Sequence, residues 1–434
     1  MYSEKRIRLH PLVDIQFVTP INQSFFFGYY NYSPISYDGS KLLAHKAYFE
    51  GRMPTPADHV DIGYYDLLSK EWHQVSRSNA FNWQQGSMLQ WLGPDFNSKI
   101  IFNDILENKF VSRLINIQNG KEKVIPYPIY GIDPKGRFSI SLNFERCYWT
   151  RAYSYAGIAN EFWNVNRHED DGIFKIDLGT GMATKILGIM DVLDHEGLKA
   201  DINNKHWLEH IMLNSSGSRF AFYHRYGSDE EYCTRVFTAD TEGKEIWAHP
   251  HKNGNNYSHL GWAKNDTYVL YTMPEKTTLS AWKNVERKKS GIRQIPLIYR
   301  KIIKPFIPRG IAKAVLNSKG FYALVHDQGK IVQGLDMKML SSDGHPSFSK
   351  DGRFMITDTY EDMDNYRRLL LYDTLRVEIL ELGKFYSTFN SCGWRADLHP
   401  RFSPDEEHII IDTTHNGHHQ MLILKLHKKL LKKL

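Results

Sequence analysis

The 434-residue sequence predicts an all-β protein: a seven-bladed β-propeller with a basic helical insertion in its fifth blade. Two observations lead to that fold. One phrase is spelled twice, as DGHPSFSKDGRFMITDTYED at 343–362 and DLHPRFSPDEEHIIIDTTHN at 397–416. Each copy reads as a short alternating strand, a tight turn (KDG or PDE) and a returning strand, which is the start of a small antiparallel sheet. Looser copies recur upstream at roughly forty to sixty residues, the spacing of four-stranded propeller blades. Helical periodicity is scarce outside the stretch after Leu279, which argues against α/β and helical-repeat folds.

Taken in order, the units fall at 24–80, 81–128, 129–190, 200–250, 255–340, 341–388 and 389–426, within one domain spanning 1–434. YNYSPISYDGSKLLAHK opens the first with Tyr32 at the shared position, and MLQWLGPDFNSKIIFND opens the second with Met88. YGIDPKGRFSISLN is a shorter third copy. EHIMLNSSGSRFAFYHR places His210 seven residues before Gly217, as His345 stands before Gly352. SHLGWAKNDTYVLYT places His259 seven before Asp266, and His399 stands seven before Glu406.

Composition narrows the function classes. Hydrophobic residues make up 41% of the chain and aromatics 13%, enough for a large core. The net charge of +6 is compatible with an acidic ligand and carries no nucleic-acid signature. Three cysteines form no framework of spaced pairs, so reduced thiols in a cytoplasmic setting are expected. The opening MYSEKRIRLHPLVDIQF has no apolar core of a secretory signal, and no apolar run reaches bilayer length.

Registration turns separate histidines into a geometry. The shared position begins the first strand of each blade, the strand beside the central channel of a propeller. His210, His259, His345 and His399 then point from four successive blades toward one mouth. Converging imidazoles are a ligand set for one divalent metal ion, zinc or manganese, or else a polar catalytic floor. The plainer alternative has each ring bonded inside its own blade. Cys392, seven residues before His399, adds a thiolate to His259, His345 and His399 or else is a small buried apolar group. CYWTRAYSYAG at 147–157 is an aromatic loop whose Tyr148 and Arg151 suit stacking on sugar rings, and Gln85 offers neutral hydrogen bonds to hydroxyls.

FFGYYNYSP, FNWQQGSMLQW, HWLEHIMLNSSGSRFAFYHR and the two repeated phrases resemble bacterial propellers near the ulvan lyases and, more distantly, oligogalacturonate lyase. The likeness covers about 25–426. It implies a lyase cleaving a uronic-acid-containing polysaccharide or oligosaccharide by β-elimination, in bacterial surface-polysaccharide metabolism. That chemistry needs a base for the proton beside the carboxylate, positive charge for the enolate and an acid for the leaving oxygen. The resemblance implies His210 or His224 as base, Tyr226 as acid and Arg225 as carboxylate neutraliser, with His206 beside them for substrate. Where oligogalacturonate lyase carries a second histidine after the His-Pro pair, this chain has Arg401, a group that binds carboxylates and no cations. Two other classes stay open: a non-catalytic glycan-binding or scaffold propeller at the inner membrane, and another carbohydrate-active enzyme, hydrolase or transferase.

The segment AWKNVERKKSGIRQIPLIYRKIIKPFIPRGIAKAVLNSK at 281–319 mixes Lys and Arg with Ile, Leu, Phe and Trp. It reads as basic amphipathic helices broken at Pro296, Pro305 and Pro308, suited to an anionic membrane surface or to capping the channel. The tail at 427–434 repeats the pattern. On the membrane reading the protein sediments with anionic but not neutral vesicles, and high salt or deletion of 281–319 weakens this. Equal sedimentation of the deleted protein would show that the segment does not hold it there.

Overall fold

The computed structural model describes residues 6–147, 153–158, 161–162, 164–199, 201–227, 232–250, 256–273, 320–329, 331–335, 340, 342–390, 393–427 and 430. These residues form seven antiparallel sheets, one per blade of a β-propeller. Blade 4 shows the pattern in full: Lys205–Leu213, Arg219–Gly227, Tyr232–Asp240 and Trp247–Ala248 pair in chain order. The first strands of the other blades are Ser24–Phe26, Gln90–Trp91, Gly131–Ile132, Asn256–Lys264, Ser347–Phe348 and Arg401–Phe402. The basic segment 281–319 lies outside the described residues; among those described, the only helix is Ile189–His195, between blades 3 and 4.

The N-terminal stretch closes the ring. Val13–Val18 is the outer strand of blade 7, paired with Gln420–Leu426. Just before it, Ile7–Leu9 adds a fifth strand to blade 6, along Glu378–Tyr386. Thr19 and Phe25 then donate main-chain hydrogen bonds to Met421 and His419 and lead the chain into blade 1.

Alternation along the strands puts the core between neighbouring blades. In blade 4, Phe220 and Phe222 pack with the cluster shared with blade 3, whereas Ala221 and Tyr223 pack with that of blade 5. The repeated tight turn has one backbone requirement. Gly39, Gly136, Gly217 and Gly352 occupy it with φ between +67° and +74°, and Glu406 takes the left-handed conformation in blade 7.

The second repeated word, ITDT or IIDT, has a structural duty as well. Both Asp358 oxygens accept main-chain N–H groups, Oδ1 from His345 at 2.8 Å and Oδ2 from Leu398 at 2.9 Å and His399 at 3.2 Å. Asp412 does the same one blade on, accepting from Phe27 at 3.1 Å and Gly28 at 3.2 Å. Each aspartate therefore ties its blade to the start of the next, which is why the phrase recurs as a unit.

Candidate active site in the channel

The registered histidines of blades 5, 6 and 7 meet in the channel. The ring centroids of His259 and His345 lie 4.2 Å apart, as do those of His345 and His399. Each ring is held through Nδ1: His259 by Asp343 at 3.0 Å, His345 by Asp358 at 2.8 Å and His399 by the Gly28 carbonyl at 2.7 Å. A carbonyl oxygen only accepts, so His399 carries its proton on Nδ1 and its lone pair on Nε2. The carboxylates select the same tautomer at the other two rings. Burial, reinforced by the neighbouring imidazoles, drives His345 and His399 well below the ordinary histidine range and keeps them neutral.

Asp397 completes this group. One oxygen accepts from Arg367 Nη1 at 2.6 Å and the other from Arg395 Nε at 2.8 Å. Burial opposes its ionisation, but Arg395 and Arg367 outweigh that and hold the carboxyl well below its usual range. Ligand atoms of His345, Asp397 and His399 lie within 4.8 Å of one another. Two neutral imidazoles and a carboxylate suit a manganese- or zinc-like divalent ion, with His259 beside them. Tyr30 packs against this cluster, 5.2 Å from the His345 ring and 5.9 Å from that of His399.

Next to blade 5, blade 4 supplies Glu209, His210 and Arg225. The pairing of its first two strands slips between Glu209 and Met212, and His210 sits in that bulge with φ of 60°. The bulge overrides strand alternation, so the side chains of Glu209 and His210, neighbours in sequence, meet each other. Arg225 Nη1 pairs with Glu209 Oε1 at 2.6 Å, and its Nε has no hydrogen-bond partner. Tyr153, Tyr223 and Tyr29 surround the His210 ring at centroid distances of 4.6, 4.9 and 5.6 Å. Burial lowers His210 to about 4, so this imidazole too is neutral near pH 7.

Strand alternation separates other residues that the sequence had grouped. His224 and Arg225 lie on opposite faces of blade 4. His224 Nδ1 contacts Glu196 at 2.7 Å and its Nε2 contacts His206 Nδ1 at 3.1 Å, and both rings are buried on the blade 3 side. Tyr226 stacks on the same two rings. His206, His224 and Tyr226 thus form one stack, and His224 has no ring nitrogen left for a substrate proton. Arg401 donates to the Gly28 and Tyr29 carbonyls and pairs with Asp412 at 2.8 Å, between blades 7 and 1, and its Nη1 is buried without a hydrogen-bond partner. Gln85 donates to the Tyr130 hydroxyl at 2.7 Å. Tyr148, Arg151 and Cys392 lie outside the described residues.

Sequence reasoning passed over Asp343, Asp358, Asp397, Glu209 and Arg395. A signal was present for the first three. Asp343 and Asp397 both stand two residues before a registered histidine, and Asp358 belongs to the repeated word.

The fold and this histidine-lined channel together define a class: a seven-bladed propeller with a polar, titratable centre. No protein-family model and no curated protein sequence matches the chain. Solved structures do match. An oligogalacturonate lyase in complex with manganese superposes with a TM-score of 0.63 at 15% identity, covering 96% of this chain and 94% of that one. The oligogalacturonate lyase of Vibrio parahaemolyticus gives a TM-score of 0.61 at 14% identity with the same coverage. The β-propeller domain of the Trilobed protease from Pyrococcus furiosus gives 0.49 at 9% identity. At such identities the likeness shows the fold.

Proposed function

We propose that the protein is a lyase that cleaves an acidic, uronate-containing oligosaccharide by β-elimination. The observation that carries this reading is the pairing of a neutral imidazole, set beside a carboxylate, with a buried guanidinium that keeps a donor free, in the channel of a propeller shaped like oligogalacturonate lyase. The resemblance of the repeated phrases to ulvan lyases and oligogalacturonate lyase supports the same chemistry.

His210 takes the proton from the carbon beside the substrate carboxylate, through the nitrogen that Glu209 leaves free. The unpartnered Nε of Arg225 donates to that carboxylate and holds the charge that develops on it as the proton leaves. Tyr29, whose ring neighbours both His210 and His399, gives a proton to the departing oxygen; burial raises its hydroxyl well above the ordinary range, so the proton is retained until then. His345, His399 and Asp397, with His259 beside them, would hold a divalent cation, which supplies further positive charge for the carboxylate.

Incubation with oligogalacturonate and other uronate oligomers should yield an unsaturated uronate, read by its ultraviolet absorbance, without incorporation of labelled water. Cleavage with uptake of water would make the protein a hydrolase. His210→Ala and Arg225→Ala should each lose at least ~100-fold in rate. His224→Ala should lower stability with a smaller effect on turnover, because it stands behind the sheet.

A further inference from the structure

We propose that Glu209 is a positioning residue that joins the base to the carboxylate clamp, setting the tautomer of His210 and the direction of Arg225 at once. This rests on the reading of the channel as an elimination site. Glu209 is completely enclosed, with 1% of its surface exposed. Its Oε1 accepts from Arg225 Nη1 at 2.6 Å and from Trp207 Nε1 at 2.9 Å. Its Oε2 lies 3.1 Å from His210 Nδ1 in a bent contact. One carboxylate therefore faces a cation, an indole N–H and an imidazole, each from a different direction.

The local backbone is arranged for this. A regular strand would send residues 209 and 210 to opposite faces of the sheet, as it does His224 and Arg225. The bulge and the left-handed conformation at His210 bring the two side chains to one side. A histidine in that conformation is strained relative to extended backbone, and the surrounding contacts must hold it there. The charged and titratable groups facing Glu209 and His210 are Arg225, Tyr29, Tyr130, Tyr153, Tyr223, Cys147 and His259. Arg225 is the one permanent cation among them. Burial opposes the ionisation of Glu209, and Arg225 and His210 then bring its carboxyl below the usual range.

A carboxylate beside Nδ1 places the proton there and leaves Nε2 as the basic nitrogen. The same carboxylate occupies one edge of the Arg225 guanidinium, so an incoming acid group meets the remaining donors. Base and clamp are thereby held at a set separation, which a substrate has to match with its acidic proton and its carboxylate.

The test uses the full chain labelled with nitrogen-15 histidine. In the wild type the His210 ring should show a protonated Nδ1 and an unprotonated Nε2 at pH 7. Glu209→Gln offers either an N–H or a carbonyl to the ring and loses the charge, so the tautomer should shift by a measurable fraction toward protonated Nε2. With digalacturonate as the probe, kcat should fall ~100-fold or more and KM should rise several-fold. Glu209→Asp, which keeps the charge, should keep the wild-type tautomer and recover part of kcat. Trp207→Phe removes one partner of Glu209 but not His210, and should leave the tautomer unchanged.

An unchanged tautomer in folded Glu209→Gln overturns the proposal, as does a Glu209→Asp protein no better than Glu209→Gln in both readouts. If Glu209→Gln does not fold, a wild-type ring protonated on Nε2 overturns it alone. A wild-type protein inactive on every uronate tested, yet with the tautomer shift present, would sink the lyase reading and leave the role of Glu209 in setting the His210 ring.

Discussion

His345→Ala and His399→Ala should each lose manganese affinity by more than the ~10–100-fold that follows loss of a group merely supporting a ligand. The wild-type protein, purified without chelator and without immobilised nickel, should hold close to one transition metal per chain. Two imidazoles and the Asp397 carboxylate converge there, and each ring is already turned by a partner on Nδ1. Asp358→Asn tests that support separately. It leaves both imidazoles in place but weakens the group that holds His345 and the loop entering blade 7, so a loss of ~10–100-fold is expected. Titration of chelator-treated protein with manganese, followed by calorimetry, reads all three variants without any substrate. Undiminished affinity in His345→Ala would leave the channel histidines as substrate-binding or structural groups.

The protein should lose most of its stability between pH 7 and pH 5. Burial lowers His45 to about 3, and His206, His249 and His415 to about 4; the neighbouring His224 adds to the shift at His206. None belongs to the metal cluster. Above pH ~6.5 these residues are neutral in folded and unfolded chains alike and cost nothing. As pH falls below that, the unfolded chain binds protons that the folded chain refuses. Each histidine then removes up to ~1.4 kcal/mol per pH unit until its folded pKa is reached. At pH 5 that is about 2 kcal/mol each, and about 8 together, against a typical total of ~5–15. His45 shows the local reason: its Nε2 meets the Ser87 hydroxyl at 2.8 Å and its Nδ1 the Phe26 carbonyl at 3.3 Å, in a site closed to water. Denaturant midpoints measured at half-unit steps from pH 8 to 5 should stay level down to about 7 and then fall steeply. A flat profile to pH 5 would show that these rings accept protons in place.

The propeller was legible because its signals are local and repeated. A strand, a turn with a left-handed residue and a returning strand need only about twenty residues, and the chain writes that unit several times. The histidine row was legible for the same reason, since a shared register places His259, His345 and His399 beside one another. Their partners were harder to see. Asp358 reaches across to blade 7, and a contact between neighbouring blades leaves no trace in the periodicity of either. The grouping of His206, His224 and Tyr226 with Arg225 failed on alternation, because a two-residue period sends Arg225 to the other face. Glu209 shows the reverse. Alternation would have excluded its meeting with His210, and only the bulge permits it.

The closure of the ring has a consequence for how the protein is made. Ile7–Leu9 and Val13–Val18 emerge from the ribosome long before their partners Glu378–Tyr386 and Gln420–Leu426. At ~5–20 residues per second, the two edges wait roughly 20–80 s for each other. During that time the exposed strand at 13–18 presents unpaired main-chain groups, and blades 1 to 5 must assemble as an open arc. A chain arrested before blade 7 would keep that arc open, with His259 and His345 in place but without His399 to complete the channel.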